Sequence, residues 1–499
     1  MSLLSFLSLP YANWVRKKNK KWIDRPIKNQ EKLLRELINS AKNTQFGKDH
    51  SFEKITTYDD FKNSVPIRDY ETLKPYINRV LKGEKNILWK GKPLYFTKTS
   101  GTTSGTKYIP ISNSSMPYHL KGAKEALLSY ISETKDTSFL EGKTIFIQGS
   151  PQLDYIKGIP TGRLSGIVAH HMPWYLKLNN LPSFKTNCIE DWEKKIDAIV
   201  DETIEQPMSL ISGIPPWVQM YFERIHKKTG KTISEVFPKF SLFVFGGVNF
   251  EPYKSKFLEL VGKQLPSVET YPSSEGFIAY QDSQKEEGLL LCVNHGIFFE
   301  FIESSQFFED NRKRISLKDV ELEKDYVVIL NTNAGLWGYN IGDTVRFVST
   351  KPYRIVVSGR IKHFTSAFGE HVIGKEVEKA VQQTLEMHPE AIINEFHVAP
   401  QVNPVEGLPY HEWFIEFKSE PKDMESFSKN LNDFMCSQNS YYDDLIRGNV
   451  LRPLLINKVN NGGFYNYMKS IGKLGGQNKP PRLSNNRKLA DGLTDFKNG

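Results

Sequence analysis

Short apolar runs alternate with amphipathic helical segments along the first 350 residues, and few folds accept that order. Lys143-Thr-Ile-Phe-Ile-Gln148, Ser241-Leu-Phe-Val-Phe245, Leu289-Leu-Leu-Cys-Val293, Ile297-Phe-Phe-Glu-Phe301 and Tyr326-Val-Val-Ile-Leu330 each have the apolar density of a buried strand. Around them, Leu33, Leu34, Leu37, Ile38 and Ala41 recur at helical spacing, as do Trp192, Ile196, Ile199, Val200 and Thr203. Met116 to Thr134 also reads as helix, and Tyr58 to Val80 carries turn and helix signals. Strands interleaved with helices predict an α/β fold with a substantial sheet.

A chain of 499 residues has room for roughly three folding units. The strand Tyr353-Arg-Ile-Val-Val357 runs into Ser358-Gly359-Arg360, and the expected boundary lies there, with residues 1–359 before it and 360–499 after it. The next segment, Gly374 to Met387, is an amphipathic helix through Val377, Ala380, Val381 and Leu385. Beyond Asn460, paired glycines and Lys479-Pro-Pro-Arg482 predict a loop-rich basic tail.

Composition removes several classes. Hydrophobic residues at 39% and charged residues at 25% are those of an ordinary globular protein. The net charge of +9 suits anionic ligands, but no arginine-rich run with interleaved aromatics points to nucleic acid. Arg16-Lys17-Lys18-Asn19-Lys20-Lys21 reads as a solvated helix face rather than a nucleic-acid or membrane patch. Three scattered cysteines, Cys188, Cys292 and Cys436, fit neither a disulfide framework nor a zinc site, and favour a reducing compartment. The N-terminus lacks the pattern of a signal peptide, and no run of about 18 apolar residues spans a membrane, so a cytoplasmic protein without a membrane partner is expected.

Thr97-Lys98-Thr99-Ser100-Gly101-Thr102-Thr103-Ser104-Gly105-Thr106-Lys107 gathers hydroxyls, glycines and lysines after an apolar trio. Glycine lets backbone N–H groups approach an anion, hydroxyls donate further bonds, and lysine adds charge. On composition alone, a phosphate cradle and a solvent-exposed polar loop are equally open. The glycine spacing and the position of Lys107 do not make a Walker A loop, which disfavours a P-loop ATPase or kinase.

Three further constellations follow. In Glu269-Thr-Tyr-Pro-Ser-Ser-Glu-Gly276, downstream of Gly246-Gly247, Tyr271 can stack on a purine, Ser273 and Ser274 can bond phosphate, and Glu275 can hold Mg²⁺, a cation that takes oxygen ligands. In Tyr339-Asn-Ile-Gly-Asp343, the Asp343 carboxylate can accept from ribose hydroxyls, or simply sit in a hairpin turn. Gly359-Arg360 begins a stretch that includes Lys362, Gly369, His371, Glu376 and Glu378, each also explicable as a surface residue. Ser212 to Phe222, with Trp217, Met220 and Tyr221, either lines a substrate pocket or belongs to the core. His170-His171 has no third ligand at metal-binding spacing.

Taken in order, these motifs resemble the acyl-adenylate-forming (luciferase-like) superfamily, and within it the auxin-responsive promoter (Gretchen Hagen three) family of acyl acid-amido synthetases. Thr99 to Lys107 is similar to the family's first nucleotide motif, and Tyr271-Pro-Ser-Ser-Glu275 to the second, with Pro272 where glycine is usual. Tyr339-Asn-Ile-Gly-Asp343 is similar to the third, with Asn340 where arginine is usual. The length and the Gly-Glu-His after the hinge look more like bacterial members than plant ones.

The resemblance implies a large N-terminal adenylate-forming domain of mixed sheets and helices, with a smaller, mobile α+β C-terminal domain. It implies a ligase that uses ATP and Mg²⁺ to form an acyl-adenylate and passes the acyl group to an amine, usually an amino acid. Transfer to a thiol such as coenzyme A, or nucleotide binding without turnover, are the alternatives. Ser100, Thr102, Thr103 and Lys107 then cradle the β- and γ-phosphates, with Thr99 and Gly101 in the same motif. Gly246, Gly247 and Tyr271 frame adenine, Asp343 anchors ribose, Arg360 reaches ribose or phosphate, and Glu275 holds Mg²⁺. For the α-phosphate, His371 falls near the position of a plant lysine, with Lys479 and, more weakly, Lys488 as rivals.

Overall fold

The computed structural model describes residues 3–99, 106–172, 179–248, 250, 253–307, 309, 312–361, 364–365, 367–370, 372–471 and 480–496. Its centre is a twelve-stranded mixed sheet. One half is parallel: Lys143–Phe146, Met208–Ser212, Leu242–Gly246 and Ser267–Ser273 run side by side in one direction. The other half is antiparallel and includes Gly276–Tyr280, Leu289–Leu291, Tyr353–Arg360, Tyr339–Thr350, Asp325–Thr332 and Ile297–Glu303. The sheet changes character at Ser267–Ser273, which is parallel to one neighbour and antiparallel to the other.

The local sequence explains the helices around it. Pro26 opens the helix Pro26–Ala41, where its missing N–H costs nothing, and Leu34, Leu37, Ile38 and Ala41 turn to the core. Thr57 with Asp60, and Asp69 with Thr72, form capping boxes at the starts of Tyr58–Ser64 and Tyr70–Leu81. Met116–Thr134 and Gly374–Met387 occupy the expected spans. Pro215 and Pro216 open Pro215–Thr229, and Gly230 at φ 69° closes it.

Two features of the chain beyond those helices bear on the site. Gly342-Asp343 is not in a hairpin turn. It lies inside the strand Tyr339–Thr350, whose pairing with Asp325–Thr332 skips between Thr344↔Val327 and Asn340↔Ile329, so the intervening residues bulge from the ladder. The tail is also less loop-like than its glycines suggest, because Gly463–Ser470 and Lys488–Leu493 are helical.

A smaller three-stranded sheet, Ile392–Gln401, Tyr410–Ser419 and Leu455–Val459, forms in the last third of the chain. One face of it closes on the tail, where Ala399, Phe414 and Val459 pack with Phe464 and Leu493. Trp413 and Ile415 from its other face, with Val377, Phe427 and Leu431 of the helices Gly374–Met387 and Met424–Gln438, join the same hydrophobic cluster as Ile145, Ile211 and Phe243 of the parallel half of the large sheet and Trp192 and Phe222 of the helices Trp192–Thr203 and Pro215–Thr229.

Candidate functional site

Parallel strands put their carboxyl ends along one edge, where open α/β sheets bind ligands. Here that edge carries Phe146, Ser212, Gly246 and Ser273. Gly246 answers a steric demand of the sheet itself, since a Cβ there would meet the Thr270 carbonyl oxygen at 2.3 Å. Gly247 has φ +78°, which lets the chain leave the strand in a conformation that a side chain disfavours.

Beside Gly246, the strands Ser267–Ser273 and Gly276–Tyr280 join through Ser274-Glu275, with Ser273 facing Gly276. The Ser273 hydroxyl donates to Glu275 Oε2 at 2.8 Å and accepts from the Glu275 N–H at 3.1 Å, so it orients that carboxylate. Burial pushes the Glu275 carboxyl above the usual carboxylate value, opposed by the Ser273 hydrogen bond and the Lys107 ammonium, and reinforced by the Asp343 charge. Glu275, Lys107 and Asp343 therefore share one electrostatic neighbourhood.

Tyr271 is buried at 8% exposure, and its hydroxyl donates to Asp343 Oδ2 at 2.5 Å. The bulge sets that encounter. Gly342 takes φ +86°, its N–H donates to Asn340 Oδ1 at 2.8 Å, and its carbonyl accepts from Ile361 N–H at 2.9 Å. Across the ladder Asp343 pairs with Arg360 and Thr344 with Gly359, so the third and fourth motifs are register partners.

Lys107 opens the strand Lys107–Ile111 and pairs with Thr99, the last residue of Tyr95–Thr99. The loop between them springs from a closed ladder; Ser100, Gly101, Thr102 and Thr103 lie outside the described residues. The Lys107 ammonium stands over the Tyr70 ring, 5.7 Å from its centroid, while the Tyr70 hydroxyl accepts from Tyr108 N–H at 2.9 Å. Lys362, His371 and Lys479 also lie outside the described residues. Lys488 is exposed at the start of Lys488–Leu493. Ser274 occupies the hairpin turn, half-buried.

Tyr221 is fully buried and shares a 2.7 Å hydrogen bond with Thr203, which makes it core, and Trp217 packs 4.6 Å from Trp192. His170 Nε2 lies 2.7 Å from the Pro151 carbonyl and His171 Nε2 3.0 Å from the Tyr95 hydroxyl.

Several further contacts bring together residues that no single stretch of sequence pairs. Tyr441 donates its hydroxyl to the Lys98 carbonyl at 2.9 Å, beside the hydroxyl-rich loop. Arg163 bonds Asp444 at 2.6 Å and stands over the Tyr441 ring. Glu370, fully buried, takes His411 Nε2 at 2.9 Å on one oxygen and Phe368 N–H at 2.8 Å on the other. This holds a turn in which Gly369, at φ +91°, approaches Ile214 just past the strand Met208–Ser212. Glu376, read as a surface charge, is buried and accepts from Asn439 at 3.0 Å. Apart from the local Phe368–Glu370 contact, these pairs join residues dozens to hundreds of positions apart, beyond any local pattern.

Comparison with known proteins gives three matches in chain order: the GH3 family N-terminal domain over residues 15–191, the GH3 family central domain over 290–360 and the GH3 family C-terminal domain over 375–488. Indole-3-acetic acid-amido synthetase GH3.3 of Arabidopsis thaliana is 22% identical over 91% of this chain and 88% of its own. Jasmonoyl-L-amino acid synthetase JAR4 of Nicotiana attenuata is 22% identical over 64% of this chain, and the match spans 66% of that protein. The solved structure of GH3.15 acyl acid amido synthetase superposes with a TM-score of 0.61 at 15% identity, over 97% of this chain and 96% of that one, and so shares the fold.

Proposed function

The chain belongs to the GH3 family, whose matched members are acyl acid amido synthetases, and on that premise we propose how this ligase divides its work. It adenylates a carboxylic acid with ATP, releasing pyrophosphate, and transfers the acyl group to the amine of an amino acid. The observation that carries the reading is the Tyr271–Asp343 hydrogen bond, which joins the second and third motifs beside the carboxyl ends of the parallel strands. Chemistry of this kind depends on positioning and charge neutralisation.

The residues support a division of labour. Asp343, re-aimed by its bulge and steadied by Tyr271, accepts from the ribose hydroxyls. Gly247, next to Gly246, leaves space at the strand end for the base, since nothing there lies closer than Ile214 at 3.8 Å from where a Cβ would sit. Lys107, with Thr99 and the Ser100–Thr103 segment, neutralises the β- and γ-phosphates on the leaving-group side. Arg360, the ladder partner of Asp343, serves ribose or phosphate from the neighbouring strand.

Glu275 fits a magnesium ligand, since its half-buried carboxylate is pre-oriented by Ser273 and its burial leaves the charged form in want of a cation. Bound there, Mg²⁺ would offset charge on the phosphates. His371, Lys479 and Lys488 remain the candidate cations for the α-phosphate. The end of the strand Tyr353–Arg360 supports the division into 1–359 and 360–499, although one apolar cluster draws on both parts. Among the described residues no helix is long and apolar enough to cross a membrane, and the three free cysteines favour the cytoplasm.

Exchange of labelled pyrophosphate into ATP, dependent on a carboxylic acid from a broad panel, tests the first step. Product mass with amino acids or coenzyme A then distinguishes amide from thioester. Binding of ATP with no exchange for any acid would overturn the reading in favour of a nucleotide-binding regulator.

A further inference from the structure

The helix Leu3–Ile23 is seated by one narrow stripe. Ser5, Ser8, Ala12, Val15, Asn19 and Trp22 recur at alternating intervals of three and four and are buried. Ala12, Val15 and Trp22 join the cluster that contains Ala126, Tyr130 and Ile131 of the helix Met116–Thr134. A core-packing role accounts for that stripe and for nothing on the opposite side.

The outer side is the unusual one. Phe6 is 62% exposed, Leu7 54%, Tyr11 41% and Trp14 56%. At 3.6 residues per turn these four, with Lys17, Lys18 and Lys21, fall within one arc of about 140°. The first turns of the arc are apolar and aromatic, and the last turns are cationic. Arg16, Lys17, Lys18, Lys20 and Lys21 are all exposed, and the helix contains no aspartate or glutamate. Aromatic and cation are already arranged together: Lys18 stands 5.3 Å over the Trp14 ring, Tyr11 stacks on Trp14 at 5.8 Å, and Lys124 adds another ammonium at 2.7 Å from the Tyr11 hydroxyl.

We propose that this face docks the protein on an anionic lipid surface, with Phe6, Leu7, Tyr11 and Trp14 entering the headgroup boundary and the lysines pairing with lipid phosphates. Amphipathic interfacial helices combine an apolar, aromatic side with Lys and Arg in this way, and juxtaposed cations add attraction to anionic headgroups. Charge selects the occupant. A second copy would bring a like-charged face against this one, and a neutral surface would leave the cations without partners. The expectation of no membrane partner thus narrows to the absence, among the described residues, of a helix able to cross one. The inference does not rest on the enzymatic reading.

The test uses the full chain with sedimented vesicles of phosphatidylcholine alone or mixed with phosphatidylglycerol. The expected result is at least tenfold stronger partitioning onto the anionic vesicles, lost at high salt as screening shortens to a few ångströms. The double variant Phe6→Ser/Trp14→Ser and the triple variant Lys17→Glu/Lys18→Glu/Lys21→Glu each lose at least tenfold in partitioning, with melting temperature and pyrophosphate exchange unchanged. Equal binding to both vesicle types, binding to neither, or variants that bind like the parent would overturn the proposal. So would a dimer in sedimentation that the variants disperse, which would assign the face to self-association.

Discussion

The hydroxyl of Tyr271 donates to Oδ2 of Asp343 at 2.5 Å, linking the strand where the large sheet turns from antiparallel to parallel with the bulge of a strand in its antiparallel half. The contact keeps the carboxylate in one orientation before any nucleotide arrives. Tyr271→Phe removes it at little cost in packing, because the ring stays. A hydrogen bond to a charged group contributes roughly 1.5–3 kcal/mol, so the KM for ATP rises by about tenfold or more. Asp343→Ala, which removes the ribose acceptor itself, has the larger effect. Pyrophosphate exchange at varied ATP measures both, and an unchanged KM in Tyr271→Phe would show that the contact is only structural.

Glu275 links function to stability with a definite sign. Its carboxyl is raised above the ordinary value of 4.5, mainly by burial. Between 4.5 and the raised value the folded chain keeps a proton that the unfolded chain has lost, so this group's contribution to stability falls as pH rises through that window. Above the window the cost of the buried charge is felt in full. Glu275→Gln therefore leaves the melting temperature at neutral pH level or raised, while pyrophosphate exchange is lost. In the parent protein, acidification removes activity at a higher pH than an ordinary carboxylate would. Thermal melts and exchange rates across pH check both; a Gln variant that retains full exchange would remove Glu275 from the metal site.

Much of this was legible in the chain, and the limits have physical causes. Gly374–Met387 could be read because Val377, Ala380 and Val381 mark one face at helical period, and they are buried. The motif order pointed to Tyr271, Glu275 and Asp343 as one site, where Tyr271 and Asp343 are bonded and Glu275 senses Asp343. The bulge around Asp343 escaped because a bulge is a property of two strands in register, and one strand's sequence carries no register. Glu376 has the local look of a surface charge because its partner, Asn439, lies 63 residues away. Tyr441 escaped altogether: its partner carbonyl is 343 residues distant and belongs to the backbone, which imprints nothing on the side-chain pattern.

The pair Glu370–His411 is fully buried on both sides, among Phe368 and Tyr442. Removing one member strands the other's polar group in the core. His411→Leu is expected to cost about 3–5 kcal/mol, and Glu370→Leu/His411→Leu together less than the two single costs summed, since the double variant leaves only the Phe368 N–H without its acceptor. Urea unfolding of the two single variants and the double variant gives the coupling directly. Simple additivity would mean that the pair does not act as a unit.

The last contact to test is the one that binds the two parts of the chain at the base of the hydroxyl-rich loop. Arg163 and Asp444 are both substantially exposed, so their ion pair contributes little to stability, at most about 1 kcal/mol. Its position matters more, because Asp444 and Tyr441 share the helix Ser440–Arg447 and Tyr441 holds the Lys98 carbonyl. Arg163→Ala combined with Tyr441→Phe should leave the melting point within about 2 °C of the parent, by the scaling for chains of this size. The same variant frees that helix from the loop. Its pyrophosphate exchange and its amide formation should then change by different factors, because only a contact used in one half-reaction alters the ratio between them. Equal scaling of both rates would identify the contact as general support for the loop, and no change in either would make it a surface pairing without a role in turnover.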